Sequence, residues 1–363
     1  MTNSRLFFTE KLLEWNRETN TRSMPWKGEK DPYRIWLSEI ILQQTRVEQG
    51  LPYYQNFIKN YPDAKKLASA PEEEVFRLWQ GLGYYARCKN MLAAAREIAD
   101  TYQGKFPAQY DQIKALKGIG PYTAAAVASF AFNLPYAVLD GNVYRVLSRF
   151  FGIETPIDST AGKKEFGDLA QELLPHDQSA AYNQSIMDFG AVVCKPQQPL
   201  CNECPLNKKC AARQQQLISV LPVKSKKLQI KKRYFNYFIV HYKDNIYIRK
   251  RTASDIWQNL HEFILLETST PLDFEALQQT DGFRQIFGNT RFEFEGVGKP
   301  GKQQLTHQTI FSQFISLSVK QPLPATDYMA VPAASLNNYA FPKTITAFLQ
   351  QRHLQLFLSL IHI

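Results

Sequence analysis

Four of the chain's five cysteines fall within seventeen residues, as Cys194, Cys201, Cys204 and Cys210, separated by six, two and five residues. No other feature limits the fold as tightly. Thiolates this close in sequence can close round one metal centre with only short loops to order. The spacing permits either zinc in a four-cysteine site or a 4Fe-4S cluster. Four unliganded thiols are the weaker reading, because thiols seldom cluster by chance. Cys88 stands apart and reads as a small buried residue. Five cysteines in 363 residues make no disulfide framework, which points to a reducing compartment.

That length suggests two or three domains, each able to bury a core. With 44% hydrophobic and 21% charged residues, the composition is that of a globular chain. No apolar run approaches the ~18 residues that a membrane helix needs. The opening MTNSRLFFTE lacks the charged, apolar and small-residue order of a secretory signal. The expected location is therefore the cytoplasm, at the nucleoid if the partner is DNA. No oligomer interface is legible, so a monomer is the default expectation.

The formal charge of +10 is unevenly spread. Residues 1–217 carry a net +3 and residues 234–363 a net +1, while the sixteen residues 218–233 carry +6 with no acid among them. This stretch holds Lys224, Lys226, Lys227, Lys231, Lys232 and Arg233 together with Pro222 and Ser225, so it reads as a linker. A basic linker is either a solvated tether or a strap along a phosphate backbone.

The hydrophobic pattern changes across it. Before the linker, apolar residues recur at helical spacing, as in Trp36, Ile40 and Val47 or Met91, Ala95 and Ile98, which predicts a domain of many short helices. After it, YFNYFIVHYKDNIYIRKR predicts two strands joined around Asp244 and Asn245. TIFSQFISLSV predicts a further strand, and TITAFLQQRHLQLFL a closing helix. The second half is expected to be α+β.

Two local patterns bear on chemistry. LKGIGPYTAAAV sets Gly118 and Gly120 around Ile119 and then starts a helix, a turn whose exposed amides can hold a phosphate oxygen. Twenty residues past Gly120, Asp140 precedes Gly141, Asn142 and another helix, where the ordinary role of an aspartate is the N-cap. In this order, the Gly-hydrophobic-Gly hairpin, the downstream aspartate and the C-x6-C-x2-C-x5-C array resemble the helix-hairpin-helix DNA glycosylases of the endonuclease III superfamily over about residues 7–217. The resemblance implies a 4Fe-4S cluster on Cys194, Cys201, Cys204 and Cys210. It also implies DNA contacts at Gly118 and Gly120.

Bifunctional members of that superfamily carry a lysine two residues after the second glycine, where an amine forms a Schiff base with the sugar. Here the residue is Tyr122. Base removal by activated water is therefore favoured over strand-cleaving lyase chemistry on oxidised pyrimidines.

DPYRIWLSEIILQQTRVEQ, residues 31–49, predicts a helix opened by Asp31 and Pro32, with Glu39 inside its apolar stripe. A carboxylate there is either a structural, hydrogen-bonded group or a general acid whose pKa burial raises. WLSEIILQQTRV, with MPWKGEKDPY, GLGYYARCKN, PYT and DGNV, resembles the MutY family of adenine-DNA glycosylases. The implied fold is multidomain: an all-α helix-hairpin-helix glycosylase domain with an iron-sulfur cluster over 1–217, the linker over 218–233 and an α+β Nudix-like domain over 234–363. The implied activity is hydrolysis of the N-glycosidic bond of adenine mispaired with 8-oxoguanine or guanine, in double-stranded DNA.

Glu39 would then protonate the leaving base and Asp140 would stabilise the oxocarbenium sugar, with Tyr122 and Asn142 positioning nucleophile and water. The carboxylates are expected to split their pKa values, Glu39 upward and Asp140 downward. Gln44 and Tyr84 occupy the positions that wedge into the duplex when the base is flipped out. Within LTHQTIFSQF, residues 305–314, the resemblance assigns lesion reading to His307, Phe311 and Ser312. Gln313 stands where the family commonly has histidine. No G-x5-E-x7-R-E-x2-E-E box is present, so Nudix hydrolase chemistry is not expected. If both carboxylates were structural, the chain would instead be a non-enzymatic iron-sulfur DNA-binding protein.

Overall fold

The computed structural model describes residues 3–225, 230–324 and 327–351. The chain divides by internal packing into two compact units, Met1–Ala70 with Lys89–Lys227, and Pro71–Cys88 with Leu228–Ile363. Residues 71–88, assigned to the first domain by sequence, thus pack with the second unit. Within that unit Lys250 pairs with Glu72 and Glu73, each at 3.4 Å, and the Gln80 amide donates to Thr346 Oγ1 at 2.7 Å.

Helices build the first part of the chain: α1 (Asn3–Glu18), α2 (Pro32–Leu42), α3 (Val47–Asn60), α4 (Ala64–Ala68), α5 (Glu72–Trp79) and α6 (Tyr85–Thr101). They continue as α7 (Tyr110–Ala115), α8 (Pro121–Phe132), α9 (Gly141–Phe151), α10 (Thr160–Leu173), α11 (Ser179–Val192) and α12 (Ala211–Gln214). A core of Phe8, Leu12, Val146, Phe150, Phe166 and Phe189 joins α1, α9, α10 and α11. Burying one such aromatic or aliphatic side chain contributes roughly 1.5–3 kcal/mol. Cys88 is fully buried, as its isolation in sequence suggests.

The helix expected over 31–49 is two helices. Asp31 caps α2 by accepting the Tyr33 N–H, but α2 stops at Leu42 because Gln44 takes a left-handed φ of +57°. An L-residue in that region carries backbone strain and breaks a right-handed helix. The break leaves Gln44 exposed at the turn into α3.

In the hairpin, α7 and α8 flank the glycines. Gly118 has φ +78°, and a Cβ there would lie 2.5 Å from Asn90 Cβ. Gly120 is the extended N-cap residue of α8 and has open space around it, so only Gly118 is required as glycine by the fold.

Residues 221–225 pack on the first unit: the Leu221 carbonyl accepts from Arg149, the Val223 carbonyl accepts the Ile157 N–H, and Ser225 donates twice to Asp158. Lys226 and Lys227 of the expected strap lie outside the described residues. Lys231, Lys232 and Arg233 belong to a strand instead. Arg233 is spent on Asp255 at 2.8 Å and Glu267 at 2.6 Å, so strand pairing and ion pairing replace the linker role at this end.

The second unit carries a mixed sheet of β1 (Lys231–Tyr242), β2 (Asn245–Lys250), β3 (His261–Thr268), β4 (Phe292–Val297), β5 (Gly301–Gln304), β6 (Gln308–Val319) and β7 (Met329–Pro332). The order is β4-β6-β1-β3-β2-β7, with β5 also on β6. β1 and β6 run parallel from Lys231 opposite Gln308 to His241 opposite Ser318. The first hairpin turns at Lys243 (φ +54°) and Asp244, close to the expected position. Helices α13 (Phe274–Gln278) and α14 (Asp281–Phe287) cover one face, where Phe283 and Phe287 pack on Phe238. The closing helix starts at 343 and is described to 351; its expected continuation to 358 lies outside the described residues.

Candidate active site

Three helices converge on a pocket of about 470 Å³ in the first unit. α2 supplies Glu39, the start of α8 supplies Tyr122, and the start of α9 supplies Asp140 and Asn142. A volume of that size is in the range of small-ligand sites. Gln43 and Gln44 also line it, as do Arg22, Met24 and Trp26 from the irregular segment before α2 and Gln184 from α11.

Glu39 is 9% exposed. Burial, with the nearby Asp140 charge adding to it, pushes its carboxyl up to about 7 against a hydrogen bond from the Tyr122 hydroxyl. A carboxyl poised near neutrality can hold a proton at working pH and release it to a substrate. Burial and the Glu39 and Asp140 charges raise the Tyr122 phenol well above its ordinary value. Tyr122 therefore stays a neutral donor.

Asp140 caps α9. Its Oδ1 accepts the Val143 N–H at 2.7 Å and its Oδ2 accepts the Asn142 amide at 2.9 Å. On the sequence expectation, such contacts lower its pKa. They do act downward, but desolvation outweighs them and the Asp140 pKa is raised. The carboxylates are thus both shifted upward by the dry pocket, and the expected opposite shifts are not found.

A continuous chain of hydrogen bonds leads from Asp140 to the cysteine loop. Asn142 Oδ1 accepts from Arg145 Nη2 at 2.7 Å, and Arg145 Nε donates to the Cys194 carbonyl at 2.8 Å. Arg145 also binds the Gly190 carbonyl at 2.7 Å. Arg145 is not among the residues singled out from sequence. Its only signal there is its place one turn past Asn142, beside the apolar stripe of Val143, Val146, Leu147 and Phe150.

Cys194, Cys201, Cys204 and Cys210 line one small cavity with Val193, Pro199, Leu200 and Ile218. Among the described residues, no group of three or more His, Cys, Asp or Glu side chains closes to single-ion distance. Burial pushes the Cys204 thiol up to about 12 and raises Cys194 and Cys210. Thiolates in such surroundings need a positive centre, so four sulfurs around one cavity fit a cysteine-held cluster. Arg149 adds a contact to Cys194 Sγ at 3.6 Å, and its carbonyl accepts from Cys210 Sγ at 3.4 Å.

In the second unit Tyr84 is 45% exposed at φ +50°, with the Arg87 guanidinium 5.4 Å over its ring. Its hydroxyl is hydrogen-bonded to Thr306. Thr306 and the exposed His307 form the tip of the β5–β6 hairpin, closed by the Leu305 N–H on the Gln308 carbonyl at 2.8 Å.

Phe311 and Ser312 lie further along β6. Ser312 is buried against Thr344 at 2.8 Å, and Phe311 stacks on Tyr234 at 5.2 Å. Gln313 is held by Asn236 and the Leu272 carbonyl, both at 2.8 Å. The lesion-reading assignment to Phe311 and Ser312 therefore meets a packed sheet, with His307 alone of the three at the tip. Thr306 is not among the residues singled out from sequence; the turn between two strand-like runs is the signal that places it at this tip.

A buried acid at the end of α2, a capping aspartate at α9 and a Gly-x-Gly hairpin define a helix-hairpin-helix DNA repair glycosylase. The HhH-GPD superfamily of base excision DNA repair proteins matches residues 37–174, and the NUDIX domain family matches residues 236–351. The chain is 35% identical over 260 residues to the adenine DNA glycosylase of Buchnera aphidicola subsp. Acyrthosiphon pisum, covering 72% of this chain and 74% of that protein. It is 34% identical over 308 residues to that of Buchnera aphidicola subsp. Baizongia pistaciae, covering 84% of each. A solved thermostable thymine-DNA glycosylase is 30% identical with a TM-score of 0.55, covering 58% of this chain and 97% of that one. The chain belongs to the adenine DNA glycosylase family and is a DNA glycosylase of base excision repair. No helix among the described residues is long and apolar enough to cross a membrane.

Proposed function

We propose that the protein is a monofunctional glycosylase that hydrolyses the N-glycosidic bond of adenine opposite 8-oxoguanine, or guanine, in duplex DNA. The observation that carries this reading is the buried Glu39, held near neutral pKa beside Tyr122 and Asp140, with a tyrosine where a lyase needs an amine. Glu39 delivers its proton to the leaving base, which departs neutral. Asp140, fixed by Val143 and Asn142, faces the positive charge that develops on the sugar, while Tyr122 and Asn142 hold the entering water.

Residues 1–217 act as the catalytic domain, with Gly118 and Gly120 of the hairpin against the phosphates. Gln44 and Tyr84 are the duplex wedges; both are exposed residues held at positive φ. The β5–β6 tip, Thr306 and His307, reads the lesion in place of Phe311 and Ser312. Cys194, Cys201, Cys204 and Cys210 hold a 4Fe-4S cluster that orders the loop against Arg145 and Arg149. The protein works as a monomer in the cytoplasm, on the nucleoid.

Glu39→Gln and Asp140→Asn should each abolish base release and retain duplex binding; near-normal turnover by either overturns the assignment. For lesion reading, Thr306→Ala should narrow the preference for 8-oxoguanine over guanine opposite adenine, with Ser312→Ala leaving it unchanged. The reverse outcome returns the role to Ser312.

A further inference from the structure

We propose that Asp188 is a positioning residue for base release: a buried carboxylate that fastens the irregular wall of the pocket to α11. This rests on the glycosylase reading above. The Asp188 side chain is 0% exposed and takes four donors. Arg22 at 2.7 Å and the Gln184 amide at 3.0 Å reach Oδ1, while Asn20 at 2.9 Å and Lys27 at 3.0 Å reach Oδ2. Lys27 also donates to the Arg22 carbonyl at 2.9 Å, which folds the segment back on itself.

Residues 20–31 contain neither helix nor strand, yet Arg22, Met24 and Trp26 form a wall of the pocket that holds Glu39. Such a loop has no backbone ladder of its own to fix it. Two of its cations converge on one carboxylate out of water, where charge-assisted bonds are strongest and an unpaired charge is most costly. Asp188 itself is not part of the pocket lining, but its partners Arg22 and Gln184 are. It acts through them, setting where one guanidinium and one amide stand relative to Glu39.

The test is single-turnover adenine release by Asp188→Asn and Asp188→Glu, with duplex affinity, melting and visible absorption measured alongside. Asp188→Asn should slow release by about 100-fold, the size expected when a remote change displaces a reacting group by ~1 Å. Duplex affinity should stay within about threefold, and Asp188→Glu should recover part of the rate. Should Asp188→Asn fail to fold, Asp188→Glu alone decides: an unchanged rate overturns the proposal. Hydrogen exchange gives a readout independent of activity. Amides of residues 22–27 should exchange at least tenfold faster in Asp188→Asn, with α9 unaffected. Unaltered rate or unaltered protection overturns the assignment, whereas a wild type that releases no adenine overturns the glycosylase reading instead.

Discussion

The Tyr122 hydroxyl donates to the Glu39 carboxyl inside the pocket, and this bond pulls the Glu39 pKa down while burial pushes it up to about 7. The balance of burial against this bond therefore sets the pH at which the acid loses its proton. Base release should fall as pH rises through about 7, because only protonated Glu39 can donate. Tyr122→Phe removes the opposing bond, so the falling limb should move to higher pH, at a lower plateau. Rate–pH profiles of the two proteins check this; an unmoved limb would detach Tyr122 from the acid.

The same shift has a consequence for stability. A carboxyl whose folded pKa exceeds its unfolded value binds more protons folded, so its contribution is complete below about pH 4.5 and is lost as pH rises to about 7. The loss at pH 8 is of order 3 kcal/mol. Glu39→Gln should thus melt higher than wild type at pH 8 and alike at pH 4. Equal melting at both values would contradict a desolvated Glu39.

The two hairpin glycines should separate in their effects. Gly118→Ala meets both a left-handed φ and Asn90, and should destabilise the protein by about 1–3 kcal/mol. Gly120→Ala has room, and should leave melting nearly unchanged while weakening duplex binding if its amide faces phosphate. Thermal melts and binding isotherms distinguish the two.

Basic residues around the linker should also divide. Neutralising Lys224, Lys226 and Lys227 should lower the slope of log affinity against log salt by up to about 0.9 for each phosphate left without a lysine beside it. Arg233→Gln should leave the slope alone and lower stability, because Arg233 is paired with Asp255 and Glu267. Salt titrations of duplex binding, with melts alongside, check both.

Much of this site was legible in sequence because its parts are local. The cap at Asp140, the turn at Gly118 and the acid in an apolar stripe each depend on neighbours within a turn or two. Asp188 was illegible because three of its four partners, Asn20, Arg22 and Lys27, come from 161 to 168 residues away, in the irregular segment that follows α1. The surroundings of Ser312 were illegible for a related reason: strand periodicity says which residues share a face, not which face a neighbouring helix covers, and Thr344 covers this one. The direction of the Asp140 shift depends on the balance of burial against hydrogen bonds, which the folded structure alone determines.

The most direct test is a single-turnover reaction on a duplex with adenine opposite 8-oxoguanine, split between alkali treatment and borohydride trapping. The account predicts free adenine and strand cleavage only after alkali, with no trapped adduct. Direct cleavage with a borohydride-trapped protein–DNA adduct, or no adenine release at all, would contradict it.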